Sequence, residues 1–323
     1  MSRNTRKEAD GTLGESFVSN VAGEEVFVSA TISEWHGSQQ PMRPKPSTIK
    51  NVVLPLDGSE RSRLAVSIAR TLSKLYGATL HVVTVGQEVL HTKQALSHLG
   101  LTSEEMQGAV LDACSGDPAE AIVGAAQQLP SPLLVMCTHT GVERSSDDFG
   151  AVAESVLRVA PERIVLLAPE RGDRAWVIRR VLLAHDGTPS SDCATAPAAE
   201  IAQSARAEVI ALHVAARKGP NPEQPGSLPA PRYIDQPQHE WPAWAGEFMD
   251  RMLAMGAPCS SVQFKLVVTG GQPGSEVAQV ARERDVDLVV MAWRGKWRSE
   301  HHATRVVTRT SGCPVLLVYS AGE

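Results

Sequence analysis

The chain says the same thing twice. Residues 51–59 read NVVLPLDGS and residues 180–188 read RVLLAHDGT. Each is a short apolar run that closes on Asp-Gly and then a hydroxyl residue. A run without alternation suits a strand covered on both faces, as in a parallel sheet. A helical pattern follows the first run. Leu64, Ile68, Leu72 and Leu75 recur at helical spacing, and Gly77 stands where a left-handed cap would end the helix. Next, TLHVV (79–83) matches ALHVA (211–215). SGDPAEAIVGAA (115–126) then matches TGGQPGSEVAQVA (269–281), each a Gly-rich turn with Pro near a helix start. PLLVM (132–136) pairs with DLVVM (287–291), and RIVLLAP (163–169) with CPVLLVY (313–319). Strands alternating with helices, twice over, predict two α/β units with parallel sheets. The 323 residues are enough for each unit to bury its own core.

The repeat divides the chain into an N-terminal arm and linker (1–48), a first domain (49–170) and a second domain (178–321). The second copy is longer between its first strand and its third helix, and the surplus falls on an insertion at 216–244. The insertion holds seven prolines together with Arg232, Tyr233, His239, Trp241 and Trp244. It follows the second strand, so it leaves the sheet at its carboxyl edge, where open parallel sheets bind ligands. It is either a stiff surface loop or a lid or partner-docking loop. As a lid, residues 231–244 would be ordered near Asp186, with Arg232 and His239 as polar contacts. Trp244, Phe248, Arg251, Met252 and Met255 then predict an amphipathic helix. In the arm, EEVFVSATISEW (24–35) alternates. It is either an extended tail or an edge strand for its own chain or a partner.

Several function classes fit poorly. The formal charge of −5 comes with no basic stripe, so nucleic acid is not an expected partner. Arg179–Arg180 and Arg294–Lys296–Arg298 are short and read as solvated faces. No apolar run approaches the roughly 18 residues of a membrane span, and the N-terminus lacks a signal-peptide core. Five cysteines without metal-like spacing suit a reducing, cytoplasmic compartment and argue against disulfides or zinc. His81 and His213 occupy equivalent strand positions and read as core residues. His301 and His302 are neighbours whose side chains diverge on a helix, so no metal is expected there. Neither Gly-x-Ser-x-Gly, HExxH nor Walker A occurs, no catalytic residue is nominated, and a conventional enzyme is not expected.

The order LPLDGS, LHVV, GDPAEAI and VAESVLR…IVLL (152–167), largely repeated, resembles the universal stress protein family over roughly residues 49–321. The resemblance implies two tandem universal-stress-protein-like domains, each an open five-stranded parallel sheet with helices on both faces. It implies pairing of the halves through their last strands, about 163–168 and 314–319. It also implies a stress-response regulatory protein, with an adenine nucleotide such as ATP as ligand and a protein partner or second copy as company. Nucleotide-binding members carry Gly, two residues, Gly, nine residues, then Gly-Ser or Gly-Thr after the fourth strand. Glycines let backbone N–H groups reach phosphate, and the following helix N-terminus favours negative charge. The first half has Cys137-Thr138-His139-Thr140, nine residues, then Gly150-Ala151: the length is kept and two glycines are gone. The second half has Ala292-Trp293-Arg294-Gly295 and a shorter loop. The resemblance also places Pro55, Asp57, Gly58, Ser59 and Val82 at the first cleft, with Asp186 and Val214 as counterparts in the second. Each Asp either meets the base or caps the next helix. On loop length the first half is the better nucleotide site, though a weak one. The alternative is an interaction scaffold with vestigial nucleotide sites that docks a partner through the arm and the 216–244 loop.

Overall fold

The computed structural model describes residues 17–21, 25–29, 49–86, 92–138, 150–159, 163–167, 176–215, 225–228, 240–255, 262–294 and 303–320. In chain order the elements are β1 (Phe17–Val21), β2 (Glu25–Ser29), β3 (Asn51–Pro55), α1 (Glu60–Tyr76), β4 (Thr79–Gly86) and α2 (Thr92–Leu99). Then follow β5 (Ala109–Ser115), α3 (Pro118–Gln127), β6 (Pro132–Cys137), α4 (Ala151–Val159) and β7 (Arg163–Leu167). The second half has β8 (Arg180–Ala184), α5 (Pro189–Asp192), α6 (Thr195–Ala205), β9 (Glu208–Ala215) and α7 (Glu240–Ala254). It continues with β10 (Phe264–Gly270), α8 (Pro273–Glu283), β11 (Leu288–Trp293), α9 (Ala303–Thr310) and β12 (Val315–Tyr319).

Within each half the strands are parallel and ordered third, second, first, fourth, fifth. The halves fuse into one ten-stranded sheet because β7 and β12 pair antiparallel, Val315 opposite Leu166 and Val318 opposite Arg163. This is the pairing of last strands expected above. It removes two open edges, each of which would otherwise carry unpaired backbone groups. The order also sets a switch point in each half, between β3 and β6 and between β8 and β11, where open α/β sheets form their ligand crevice.

Inner strands such as β3, β6, β8 and β11 read as unbroken apolar runs because both faces are covered. Val52 and Leu54 join the layer that holds Ile68, Leu72, Phe248 and Met252, while Val53 joins the opposite layer with Val123, Ala126 and Val156. Helix α1 starts at Ser59, whose hydroxyl accepts from Ser62 N–H, and ends at Gly77 with φ 62°. Its counterpart is broken. α5 stops at Asp192 and α6 restarts at Thr195, with Pro197 in its first turn, where a missing N–H costs no intrahelical bond. In the arm, β1 and β2 pair antiparallel, with Phe17 opposite Ser29, and β2 lies alongside the outer strand β10. No helix among the described residues is long and apolar enough to cross a membrane.

Candidate functional site

The two carboxyl-end turns are built differently. In the first half, Asp57 Oδ1 accepts from Ser59 N–H at 3.0 Å, so the aspartate shapes the turn while Ser59 caps α1. Gly58 has φ 82°, and an ideal Cβ there would stand 2.9 Å from the His98 carbonyl, so α2 closes against this turn. Val82 is buried and Pro55 half-buried. Cys137 ends β6 as a buried residue whose thiol donates to the Arg61 carbonyl at 2.9 Å. Burial, with the nearby Asp57 charge adding, pushes the Cys137 thiol up to about 12, so it is no reactive thiolate. Thr138 is buried, and its carbonyl accepts from Gly150 N–H at 2.8 Å, which closes the loop just before Ala151 opens α4. His139 and Thr140 lie outside the described residues.

In the second half a cleft of 330 Å³ opens at the switch point. Its walls come from the end of β8 (Ala184, His185, Asp186), from Leu212 and Val214 of β9, and from Met291, Ala292 and Arg294 at the end of β11. The first turns of α8 and α9 close it. Asp186 and Val214, paired in the sequence repeat with Asp57 and Val82, are therefore brought together. Arg232 and His239 lie outside the described residues, as do His301 and His302.

Asp186 is tightly organised. Its Oδ1 accepts from Thr188 N–H at 2.9 Å, Thr188 Oγ1 at 2.6 Å and Ser191 Oγ at 2.5 Å. Burial pulls its carboxyl upward, but these hydrogen bonds prevail and hold it below the ordinary carboxylate range. Its Oδ2 faces Arg294 Nη2 at 3.9 Å, and the same nitrogen donates to Thr188 Oγ1 at 3.4 Å. Arg294 was expected to be a solvated basic spot. Its guanidinium is half-exposed, but it hangs over the cleft mouth.

Beneath the cleft runs a chain of polar contacts that sequence reasoning missed. Gly187 N–H donates to His185 Nδ1 at 3.1 Å, which assigns the ring proton to Nε2; that atom donates to Asp192 Oδ1 at 3.0 Å. Arg251 of α7 grips Asp192 with two bonds, Nε to Oδ1 at 2.9 Å and Nη2 to Oδ2 at 2.7 Å. Burial raises Asp192, but the bonds from His185 and Arg251 outweigh it and hold the carboxyl low. A charge at Arg251, on the face that also carries Trp244, Phe248 and Met252, was the available sequence signal. Those three are buried as expected, whereas Met255, just past the helix, is exposed. His213 is a core residue, as read: it donates from Nδ1 to the His185 carbonyl at 3.1 Å and lies 4.9 Å from the Trp244 ring. His81 instead bridges Asp112 and Asn51 at 3.0 and 3.1 Å. Among the described residues, no three or more His, Cys, Asp or Glu side chains are grouped to hold a metal.

Part of the insertion is pinned to this turn. Leu228 N–H donates to the Gly187 carbonyl at 2.8 Å, and Arg251 Nη1 donates to the Gly226 carbonyl at 2.5 Å. Gly187 has φ 80°, and an ideal Cβ there would sit 2.5 Å from the Leu228 carbonyl. Only glycine tolerates both conditions. Gly187→Ala is therefore expected to cost about 2 kcal/mol and to release segment 225–228. Hydrogen exchange at the Leu228 amide checks this; unchanged protection would show that the turn accommodates a side chain.

The comparisons with known proteins follow the same division into halves. The sequence profile of the universal stress protein family matches residues 48–167 and again 178–319. No curated protein matches the chain. Among solved structures, a putative universal stress protein from Pseudomonas aeruginosa UCBPP-PA14 is 14% identical, with a TM-score of 0.59 over 84% of this chain and 94% of its own. A universal stress protein from Archaeoglobus fulgidus DSM 4304 is 16% identical, with a TM-score of 0.58 over 83% of this chain and 98% of its own. At such identities the likeness is one of fold, and at this coverage it extends over both halves. With the profile matched twice on one continuous sheet, the chain belongs to the universal stress protein family as a tandem-domain member.

Proposed function

We propose that this chain is a ligand-binding regulatory protein whose working cleft is the second one. The observation that carries this reading is the 330 Å³ cleft at the β8/β11 switch point, with Asp186 preset as a carboxylate and Val214 beside it. Loop length favoured the first half, but the turn geometry favours the second. At the first turn Asp57 is engaged by the Ser59 amide and the Cys137 thiol is spent on a backbone carbonyl, whereas at the second turn Asp186 lines an open cleft. The polar groups of the second cleft are largely tied to one another, which suits holding a ligand rather than transforming one. An adenine nucleotide is the first ligand to test, given the family resemblance of both first-strand turns.

The test is calorimetric titration with AMP and ATP. Asp186→Asn is expected to weaken binding about tenfold, the loss of one charge-assisted hydrogen bond, while Asp57→Asn changes it less than about twofold. Binding that depends on Asp57 and ignores Asp186 would return the site to the first half.

A further inference from the structure

Among the described residues, two buried hydroxyls on elements around the second cleft have no hydrogen-bond partner. Thr304, in the first turn of α9, lines the cleft at 1% exposure, and its Oγ1 has no hydrogen-bond partner. Thr269, at the end of β10 and in register with Val214, is also buried and unpartnered at Oγ1. A buried hydroxyl without a partner is unfavourable, so Thr304, which lines the cleft, marks a place where a bound molecule's heteroatom could be received. Across the cleft, Arg294 reaches, among the described residues, Thr188 and Asp186 through Nη2, at 3.4 and 3.9 Å. Both contacts are long, and the planar fork keeps donors matched to a carboxylate or phosphate. Between these polar walls the lining is apolar, from Leu212, Val214, Val277 and Met291. The cleft volume of 330 Å³ is at the small end of ligand pockets, which run roughly 300–1,000 Å³.

We infer that the second cleft is built for a small ligand with an apolar ring-sized body and one oxyanion head, a carboxylate or a phosphomonoester. Arg294 holds the head, and Thr304 receives a heteroatom of the body. Charge supports a single head. Arg294 is the one cation among the described lining residues, and Asp186 stands beside it. One head can draw Arg294 away from Asp186, whereas a longer phosphate chain finds no second described cation there. This inference rests on the second cleft being the binding site.

The test compares each head with its headless counterpart on the full chain by calorimetry: AMP with adenosine, and indole-3-acetate with 3-methylindole, plus ATP. At least one headed ligand is expected to bind one-to-one and about tenfold more tightly than its counterpart, which identifies the head. Arg294→Gln is expected to erase that advantage and to leave the headless ligand within about twofold. Thr304→Val is expected to weaken headed and headless ligands alike by about three- to tenfold, while Thr304→Ser, which keeps the hydroxyl, restores binding. ATP binding more than tenfold tighter than AMP, insensitive to Arg294→Gln but lost in Asp186→Asn, would overturn the single-head ligand and keep the site. Dependence on Asp57 alone would overturn the site itself. Equal binding of headed and headless ligands, or no binding by any of the five, would overturn the inference.

Discussion

Replacing Arg251 by methionine is expected to destabilise the second half by about 3–5 kcal/mol, because it leaves a buried carboxylate behind. Asp192 keeps only 11% of its side-chain surface in solvent and Arg251 only 16%. The pair is bidentate, at 2.9 and 2.7 Å, the geometry in which a guanidinium compensates best for a desolvated carboxylate. Without Arg251, Asp192 retains the His185 bond but faces an apolar methionine beneath α7. Methionine preserves most of the volume, so the loss reports charge rather than a cavity. The double variant Arg251→Met, Asp192→Leu should recover much of the loss, since removing both charges also removes the desolvation cost. Urea unfolding of the wild type, the single variants and the double variant measures this coupling. A single-variant loss under about 1 kcal/mol would mean that water reaches Asp192 and that the pair is only a surface contact.

The same pair shows where the sequence is readable and where it is not. Strands β3, β4, β6, β8, β9, β11 and β12 announce themselves because each is an apolar run covered on two faces, and β7 because its sequence run is equally apolar. β5 does not. It sits at the free end of the sheet, its residues are half-covered or exposed, and Asp112 interrupts AVLDACS to reach His81. An edge strand has no need of a continuous run. β10 is apolar enough to read, but it directly precedes the Gly-rich turn that drew attention to the repeat. The break between α5 and α6 was legible in principle from Pro197. Its consequence, that Ser191 reaches Asp186 and Asp192 reaches His185 and Arg251, depends on how three elements meet in space.

The candidate site divides in the same way. Asp186 and Val214 were found because the repeat copies them from Asp57 and Val82. Thr304 and Arg251 have no counterpart of matching chemistry in the first half, and a repeat cannot point to what it does not repeat. The weight given to the first half rested on the length of one loop. The turn that loop faces is decided by contacts far away in sequence, such as His98 against Gly58. The insertion was read as a possible lid. Residues 229–239 lie outside the described ones; what is described of the insertion is segment 225–228, stitched to Gly187, and the start of α7, whose Arg251, beyond the insertion, bonds Asp192 and Gly226. That arrangement makes segment 225–228 a structural support of the turn that carries Asp186.

The second large effect is expected in acid. His213 should lower stability by up to about 3 kcal/mol as the pH falls from about 6.5 to about 4. Burial pushes its pKa down to about 4, and the hydrogen bond to the His185 carbonyl offsets this only in part. The ring is enclosed by Trp244 at 4.9 Å and Phe248 at 5.7 Å, so a second N–H would meet aromatic surface instead of water. Between those pH values the unfolded chain takes up a proton that the folded chain refuses. The unfolded state therefore binds more protons, and stability must fall as the pH falls. Above pH 6.5 neither state is protonated at this ring and the contribution is flat. The depressed carboxyls of Asp186 and Asp192 act lower down: their stabilisation is present above the ordinary carboxylate range and is lost only as the pH falls through their own lowered values. The two windows are thus separable. His213→Gln keeps a donor for the His185 carbonyl but cannot titrate. Urea unfolding at pH 7 and pH 4.5 should show the wild type losing about 2 kcal/mol more than the variant across that interval, with all other titrations cancelling in the difference. Equal losses in both proteins would show that His213 protonates in place, with the folded chain opening a path for water between Trp244 and Phe248.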